Sequence, residues 1–194
     1  FTMKRYCSAT LAATITAASF APAFAQDCAP ATGTPLSSYR VDTMAENQHH
    51  VHTEILINAS AAEVWDVLSD FENMPMWSTT LQGMAGDIRD GGDVVVTYKF
   101  PDRIAEIPHT ISYREGAGFG WADPFDFAPE MADNHVFEIE PISECQSRFK
   151  QYDTFTGLGP EGSKITTELV SQDAMSVYRI FNAELKAAVE KKFP

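Results

Sequence analysis

The stretch SQDAMSVYRIFNAELKAAVEKKF, residues 171–193, decides the fold of this chain. At roughly 100° per residue, its apolar side chains fall on one arc, while charged side chains such as Arg179 and Lys186 lie opposite. Ser171 or Asp173 would cap its start. The apolar arc consists of Ala174, Val177, Tyr178, Phe181, Leu185, Ala188 and Val189. This pattern predicts one long amphipathic helix that covers the apolar face of a sheet.

The residues before this helix mostly show strand patterns. A first strand at 52–59 precedes a short helix, which Ser60 caps and for which Glu63 completes a capping box. A second short helix is predicted at 71–77. Further strands are predicted at 81–88, 94–100, 109–114, 119–122, 135–140 and 148–156, with loops at 101–108 and 123–134. Consecutive strands favour an antiparallel meander, and residues 164–170 fit either a strand or the lead into the final helix.

The N-terminal residues have the features of a secretory signal peptide. Met3 is followed by Lys4 and Arg5, and an apolar run then ends in Ala23-Phe24-Ala25. We expect cleavage after Ala25, a periplasmic or secreted protein, and no stable membrane anchor. Residues 26–48 contain many small residues and prolines and are predicted to be a tail or linker, so that the domain spans 49–194.

Composition limits the classes of partner. Forty-four per cent hydrophobic and eleven per cent aromatic residues are enough for a folded core. A net charge of −13 without a basic stripe argues against nucleic acid as a partner.

Cys28 and Cys145 would remain after cleavage, and an even number of cysteines in an exported protein suggests a disulfide. Two unpaired thiols are the alternative.

Three groups of sequence strings carry a resemblance to a known superfamily. They are ILINASAAEVWDVL at 55–68 followed by Pro75 and Trp77, FGW at 119–121 followed by HVFEIEP at 135–141, and SRF at 147–149 leading to FTGL at 155–158. Their order resembles the SRPBCC superfamily of START, polyketide-cyclase and birch-allergen helix-grip proteins. The resemblance implies an α+β fold with a seven-stranded curved antiparallel sheet wrapped around a long C-terminal helix, with two short helices after the first strand.

The resemblance also implies an apolar cavity between the sheet and the helix. We expect it to bind a hydrophobic or amphipathic small molecule, lipid-like or polyketide-like, without a cofactor. Strand alternation and the helical arc predict which residues wall the cavity: Trp77, Tyr98, Phe100, Ile111, Tyr113, Trp121, Phe137, Phe155, Val177, Phe181 and Leu185. The alternative is that these side chains simply fill the core.

Two other functions stay open. The superfamily includes cyclases and dehydratases, and His109, His135 and Asp153 are the titratable residues that could serve such an enzyme. An adaptor with a filled cavity and an acidic surface for a partner is a third hypothesis. No GxSxG, Walker, GxGxxG or HExxH motif is present.

A histidine cluster at the start of the first strand raises the question of a metal site. In the cluster His49, His50 and His52, the second and third would point the same way on a strand, which permits a two-point metal contact. No further ligand is evident nearby, so no metal site is predicted.

Overall fold

The computed structural model describes residues 37–193, and the strands in this part of the chain form one antiparallel sheet around a long C-terminal helix. The strands are β1 (Ser37–Ala45), β2 (Gln48–Ile57), β3 (Leu81–Gly86), β4 (Asp93–Lys99), β5 (Ile104–Arg114), β6 (Gly118–Trp121), β7 (Pro124–Phe125), β8 (Ala128–Ala132), β9 (His135–Ser143) and β10 (Gln146–Gly157). The helices are α1 (Ala61–Leu68) and α2 (Thr167–Lys192), with a 3₁₀ turn at Met74–Met76. Neither α1 nor α2 is long and apolar enough to cross a membrane.

The strand order across the sheet is β1-β2-β10-β9-β6-β5-β4-β3, and a β7–β8 hairpin attaches to the end of β10. The seven strands from β2 to β3 are the predicted helix-grip sheet, so the α+β fold class is confirmed. The structure adds an edge strand and a hairpin, which raises the strand number to ten in the described residues.

The short helix α1 forms where its capping residues predict it. The Ser60 side chain accepts a hydrogen bond from the Glu63 backbone, and the Glu63 carboxylate accepts one from the Ser60 backbone at 2.8 Å. The predicted second helix at 71–77 is only the 3₁₀ turn at Met74–Met76. Pro75 has no N–H group and disfavours the helical conformation in the residue before it, which explains why no longer helix forms.

Strand β1 corrects the predicted domain boundary. Residues 37–45 pair with β2 and are not a linker. The sequence gives little sign of this strand because it lies at the sheet edge and none of its side chains is fully buried. The signal peptide, residues 26–36 and Cys28 lie outside the described residues, so cleavage and the Cys28–Cys145 disulfide stay predictions.

Two predicted loops also contain strands. Strand β5 begins at Ile104 and includes Pro108. This proline is tolerated because β5 pairs only with β4 before Ile111, where its pairing with β6 starts. The predicted loop at 123–134 contains the β7–β8 hairpin. Its Phe125 packs on Phe155 with ring centroids 6.1 Å apart, which gives the hairpin an apolar anchor.

Helix α2 begins at Thr167, before the predicted start, because the Thr166 side chain caps it by accepting a hydrogen bond from Leu169 N–H at 3.1 Å. Its C-terminal half buries three residues of the predicted apolar arc, Phe181, Leu185 and Val189, whereas Val177 of that arc is 43% exposed. Phe181 lies 5.7 Å from Phe137 and 5.2 Å from Trp77 between ring centroids. Leu185 and Val189 are fully buried along the same face.

Packing of this face predicts a large cost for Leu185→Ala. The substitution removes fully buried methyl groups, so we expect the free energy of unfolding to fall by about 3 kcal/mol. Leu169→Ala is the matched control, because Leu169 lies on the same helix but is 48% exposed; its effect should stay within about 0.5 kcal/mol. Urea denaturation of both variants measures the difference, and equal effects would contradict the packing described.

Candidate ligand-binding cavity

A cavity of about 350 Å³ lies between the middle of α2 and strands β3, β4, β9 and β10. Its polar side chains include Tyr98, His135, Gln151 and Tyr178. Its large apolar side chains are Leu81, Phe100, Phe137, Val177, Ile180 and Phe181. Phe100 is 37% exposed, Val177 43% and Ile180 48%, so these residues mark the mouth. The cavity is therefore mainly apolar and opens to solvent beside the helix.

Packing along α2 changes near Phe181. Phe181, Leu185 and Val189 fill the interior along the C-terminal half. One turn earlier, Tyr178 is held against the sheet by its hydroxyl bond to Asp153 and by its stacking on His135. The interior is thus closely packed at the α1 end, and the cavity lies beside Val177, Tyr178 and Ile180.

The structure places about half of the predicted wall residues on the cavity. Tyr98, Phe100, Phe137, Val177 and Phe181 line it, and so does His135, which the sequence suggested only as a catalytic candidate. The prediction is corrected for the others, which lie elsewhere: Trp77, Ile111, Tyr113, Trp121, Phe155 and Leu185.

These six residues face inward, but at other positions along the interior. Tyr113 packs on Trp65 near α1, with ring centroids 5.5 Å apart. Phe155 packs under the β7–β8 hairpin, and Trp121 stacks on His109 at 4.8 Å, behind the cavity wall. Ile111 and Leu185 are buried in the core, and Trp77 supports Phe181. The alternation of each strand predicted which side chains face inward, but not how far along the strand the cavity lies.

A ladder of buried amides connects α2 to the sheet beside the cavity. Gln151 Nε2 donates to Asn182 Oδ1 at 2.5 Å and to the Tyr178 carbonyl at 3.3 Å. Asn182 Nδ2 donates to Thr53 Oγ1 at 3.0 Å, and Gln151 Oε1 lies 3.0 Å from His135 Nε2. Burial lowers the pKa of His135 to about 3, so its ring is neutral at physiological pH.

A second chain of polar groups reaches the cavity from behind. His109 Nδ1 lies 2.7 Å from Asp123 Oδ2, and His109 Nε2 lies 3.2 Å from the Tyr98 hydroxyl. Burial raises the pKa of Tyr98 well above its ordinary value, so the phenol keeps its proton. Of the three catalytic candidates, His109 therefore contacts a carboxylate, whereas His135 contacts an amide.

Asp153, the third candidate, belongs to a buried acidic group. It accepts hydrogen bonds from the Tyr178 hydroxyl at 2.6 Å and from Asn134 N–H at 3.0 Å. Burial, and then the charge of Asp133, raise the pKa of Asp153 to about 8. Burial likewise raises the pKa of Asp133 to about 6. Asp153 therefore holds a proton at neutral pH, and the Tyr178 hydroxyl that orients it belongs to a side chain that also lines the cavity.

The histidine cluster of β2 has other partners. His49 faces inward and its Nδ1 lies 2.9 Å from Thr167 Oγ1. His50 Nδ1 lies 2.9 Å from Thr154 Oγ1, and His52 lies 3.4 Å from Glu54. Within residues 37–193, no group of three or more His, Cys, Asp or Glu side chains could hold a metal ion.

Several residues at the site were missed from the sequence. Gln151 and Asn182 have a detectable signal, since each is a polar residue at an inward position of an otherwise apolar pattern. Ile180 lies off the helical arc, so the periodicity of the helix did not place it on the cavity. Asp123 and Asp133 lay in a predicted loop, and only the hairpin geometry brings them close to β5 and β10.

Comparison with known proteins assigns the family. The sequence matches the polyketide cyclase / dehydrase and lipid transport family over residues 48–190. Similar solved structures include Zhui aromatase/cyclase from Streptomyces sp. R1128 (10% identity, TM-score 0.60, covering 76% of this chain and 96% of that chain). A START superfamily protein from Mycobacterium smegmatis is 16% identical with TM-score 0.57, covering 73% of this chain and 97% of that one. Ara h 8.0201 is 15% identical with TM-score 0.54, covering 74% and 99%.

The comparison with curated proteins gives no match. The fold and cavity define a helix-grip protein, and at these identities the solved structures support the fold alone. The sequence match extends over most of the chain, so the chain belongs to the polyketide cyclase/dehydrase and lipid transport family of the SRPBCC superfamily. The description of that family covers polyketide cyclases, dehydrases and lipid transport.

The buried acid Asp153 predicts a pH dependence of stability. In the folded protein Asp153 keeps its proton up to about pH 8, whereas an unfolded aspartate loses it near about pH 4. The folded state then binds more protons, so the free energy of unfolding falls as pH rises between these values. His135 acts in the opposite direction, but only below about pH 6.5.

Stability should accordingly fall by about 2 kcal/mol between pH 6.5 and 8, at about 1.4 kcal/mol per pH unit for one proton. Asp153→Asn should remove most of this fall, as measured by urea denaturation across that range. Asp126→Asn, at an exposed turn position of the hairpin, should keep the wild-type dependence. A wild-type stability that rises from pH 6.5 to 8 would contradict the protonated state of Asp153.

Proposed function

We propose that the protein binds one hydrophobic or amphipathic small molecule in the cavity between the sheet and α2. The observation that carries the proposal is the apolar mouth, where Phe100, Val177 and Ile180 stay partly exposed around an open interior. A ligand that covers this surface gains about 25 cal/mol for each Å² of apolar area removed from water. Ordering of the ligand offsets part of that gain.

The size and polarity of the cavity define the kind of ligand. Its volume of about 350 Å³ lies near the lower end of the range for small-molecule sites, about 300–1,000 Å³. A compact molecule of two or three rings, or a branched chain of similar size, fits this volume better than a full-length phospholipid. Most of the cavity surface is apolar, and the polar side chains of Gln151 and Tyr178 already bond to other protein groups.

The proposal includes export. Its support is the sequence alone, in which Lys4 and Arg5 precede an apolar run that ends in Ala23-Phe24-Ala25. A carrier outside the cytoplasm would keep an apolar molecule dissolved in an aqueous compartment, and the net charge of −13 favours its own solubility there.

Binding is tested with N-phenyl-1-naphthylamine, a small apolar dye whose fluorescence rises on transfer from water. Wild-type protein should bind about one dye per chain with saturation. Val177→Trp should weaken binding about tenfold or more, because the larger ring occupies the mouth. Leu169→Trp, at an exposed position of the same helix outside the cavity, should bind as the wild type does. Equal binding by both variants, or none by the wild type, would refute the proposal.

A specific contact favours a second candidate, a cyclase or dehydratase acting in the same cavity. Tyr98 lines the cavity, and His109 joins its hydroxyl to Asp123. In the dehydration of a β-hydroxy ketone, the Tyr98 phenol would protonate the departing hydroxyl, which leaves as water. A solvent base would remove the proton on the carbon between the two groups, and a proton returning through His109 would restore the phenol.

This candidate predicts a separation of turnover from binding. With an aryl β-hydroxy ketone as substrate, Tyr98→Phe should lower kcat about 100-fold or more, while affinity for the product enone changes only a few-fold. His52→Phe changes a histidine on the outer face of β2 and serves as control. Absence of turnover in the wild type, or equal kcat in Tyr98→Phe, would leave the binding function alone.

A further inference from the structure

We propose that His135 selects, among apolar molecules, those that carry a hydroxyl or N–H group, because the Nδ1 atom of its ring accepts a hydrogen bond inside the cavity. This inference rests on the proposed binding function and names its ligand class. Three observations support it, namely the direction of the hydrogen bonds in the amide ladder, the accessibility of Nδ1, and the fixed position of the ring.

The direction of the ladder determines which ring nitrogen carries the proton. The backbone carbonyl of Tyr178 can only accept, so the Gln151 atom that faces it at 3.3 Å is the amide nitrogen. Gln151 therefore presents its oxygen to His135 Nε2, 3.0 Å away, and Nε2 must carry the hydrogen. A neutral imidazole has one N–H only, so Nδ1 holds a lone pair. Burial lowers the pKa of His135 to about 3, which supports the neutral ring.

The Nδ1 atom is accessible from the cavity. Among residues 37–193 the only hydrogen-bond partner of the His135 ring is Gln151, at Nε2. Among the same residues, every buried side-chain nitrogen or oxygen that solvent cannot reach has a hydrogen-bond partner. The Nδ1 atom must then be accessible, and since the residue is only 5% exposed and lines the cavity, the cavity is the space it meets.

Packing holds the ring in place. His135 stacks on Tyr178 with ring centroids 4.2 Å apart and packs on Phe137 at 4.3 Å, while Trp121 meets it edge-on at 5.2 Å. Because the acceptor is fixed before the ligand enters, little ordering is needed to form the bond. Gln151 and Tyr178, which line the same cavity, already bond to protein groups, so a ligand donor beside the ring can bond to Nδ1.

The polarity of the ring argues against an anionic ligand group at this point. The neutral His135 ring offers a lone pair at Nδ1, and Asp153, directly opposite in the β9–β10 register, holds its proton. The single cationic side chain among the lining residues that the structure describes is Lys99 at the rim. A carboxylate beside Nδ1 would meet a lone pair and no donor, whereas a neutral hydroxyl would donate to it.

The test compares 2-naphthol with 2-methylnaphthalene, two compounds of similar shape of which only the first can donate a hydrogen bond. Isothermal titration calorimetry gives each affinity for wild type and for His135→Phe, which keeps an aromatic ring but loses the acceptor. The ratio of the two affinities should be about tenfold higher in the wild type than in the variant. This comparison cancels the difference in hydrophobicity between the compounds.

The controls separate this inference from the binding function. His52→Phe should keep the wild-type ratio. Equal ratios in wild type and His135→Phe, with both compounds bound, would overturn the role of His135 but leave the binding function intact. Loss of the preference in Tyr98→Phe with retention in His135→Phe would assign the acceptor to Tyr98 instead. Failure of both compounds to bind would overturn the binding function and this inference together.

A measurement on the wild type avoids any effect of substitution on folding. In protein labelled with nitrogen-15 at histidine, the His135 ring should show a protonated Nε2 and an unprotonated Nδ1. Addition of 2-naphthol should shift the Nδ1 resonance towards that of a hydrogen-bonded acceptor, and 2-methylnaphthalene should not. A ring protonated at Nδ1, or an Nδ1 shift that is the same with both compounds, would contradict the inference.

Discussion

Every polar side chain buried between α2 and the sheet needs a hydrogen-bond partner, and this constraint fixes the position of the helix. Asn182 bonds to both Thr53 and Gln151, and further along Lys186 donates to the Leu56 carbonyl at 2.9 Å. Leaving one such group unpaired costs about 1–3 kcal/mol. A shift of α2 by one turn, about 5.4 Å, would break all of these bonds at once. The helix therefore has one favourable depth and rotation on the sheet.

The cavity follows from that fixed position. With α2 held by its amides, Phe181 and Leu185 reach the interior at the α1 end, where the aromatic rings of Phe119, Phe137 and Phe149 pack closely. Toward the other end, the large inward side chain of Tyr178 is bound to Asp153 and forms part of the cavity wall. The open volume thus lies beside the point where Gln151 bonds to the Tyr178 carbonyl and to Asn182.

Local patterns predicted the parts of this architecture that depend on local physics. The capping box of Ser60, the inward faces of β9 and β10, and the apolar arc of α2 were all accessible from spacing. Strand β1 was not, because an edge strand buries too little to show alternation. The contact between His109 and Asp123 depends on the register between β5 and a hairpin, which periodicity does not contain. For the same reason Trp121 was placed on the correct face but in the wrong part of the interior.

The partly exposed mouth has an evolutionary consequence. Phe100, Val177 and Ile180 touch the cavity but stay outside the buried core, so substitutions there cost the fold little. Residues deeper inside, such as Gln151 and Phe181, serve the fold and the cavity together and have less freedom to change. Ligand preference in such a scaffold can diverge through its entrance while the interior is conserved, which is one physical route by which a single architecture comes to serve many small molecules.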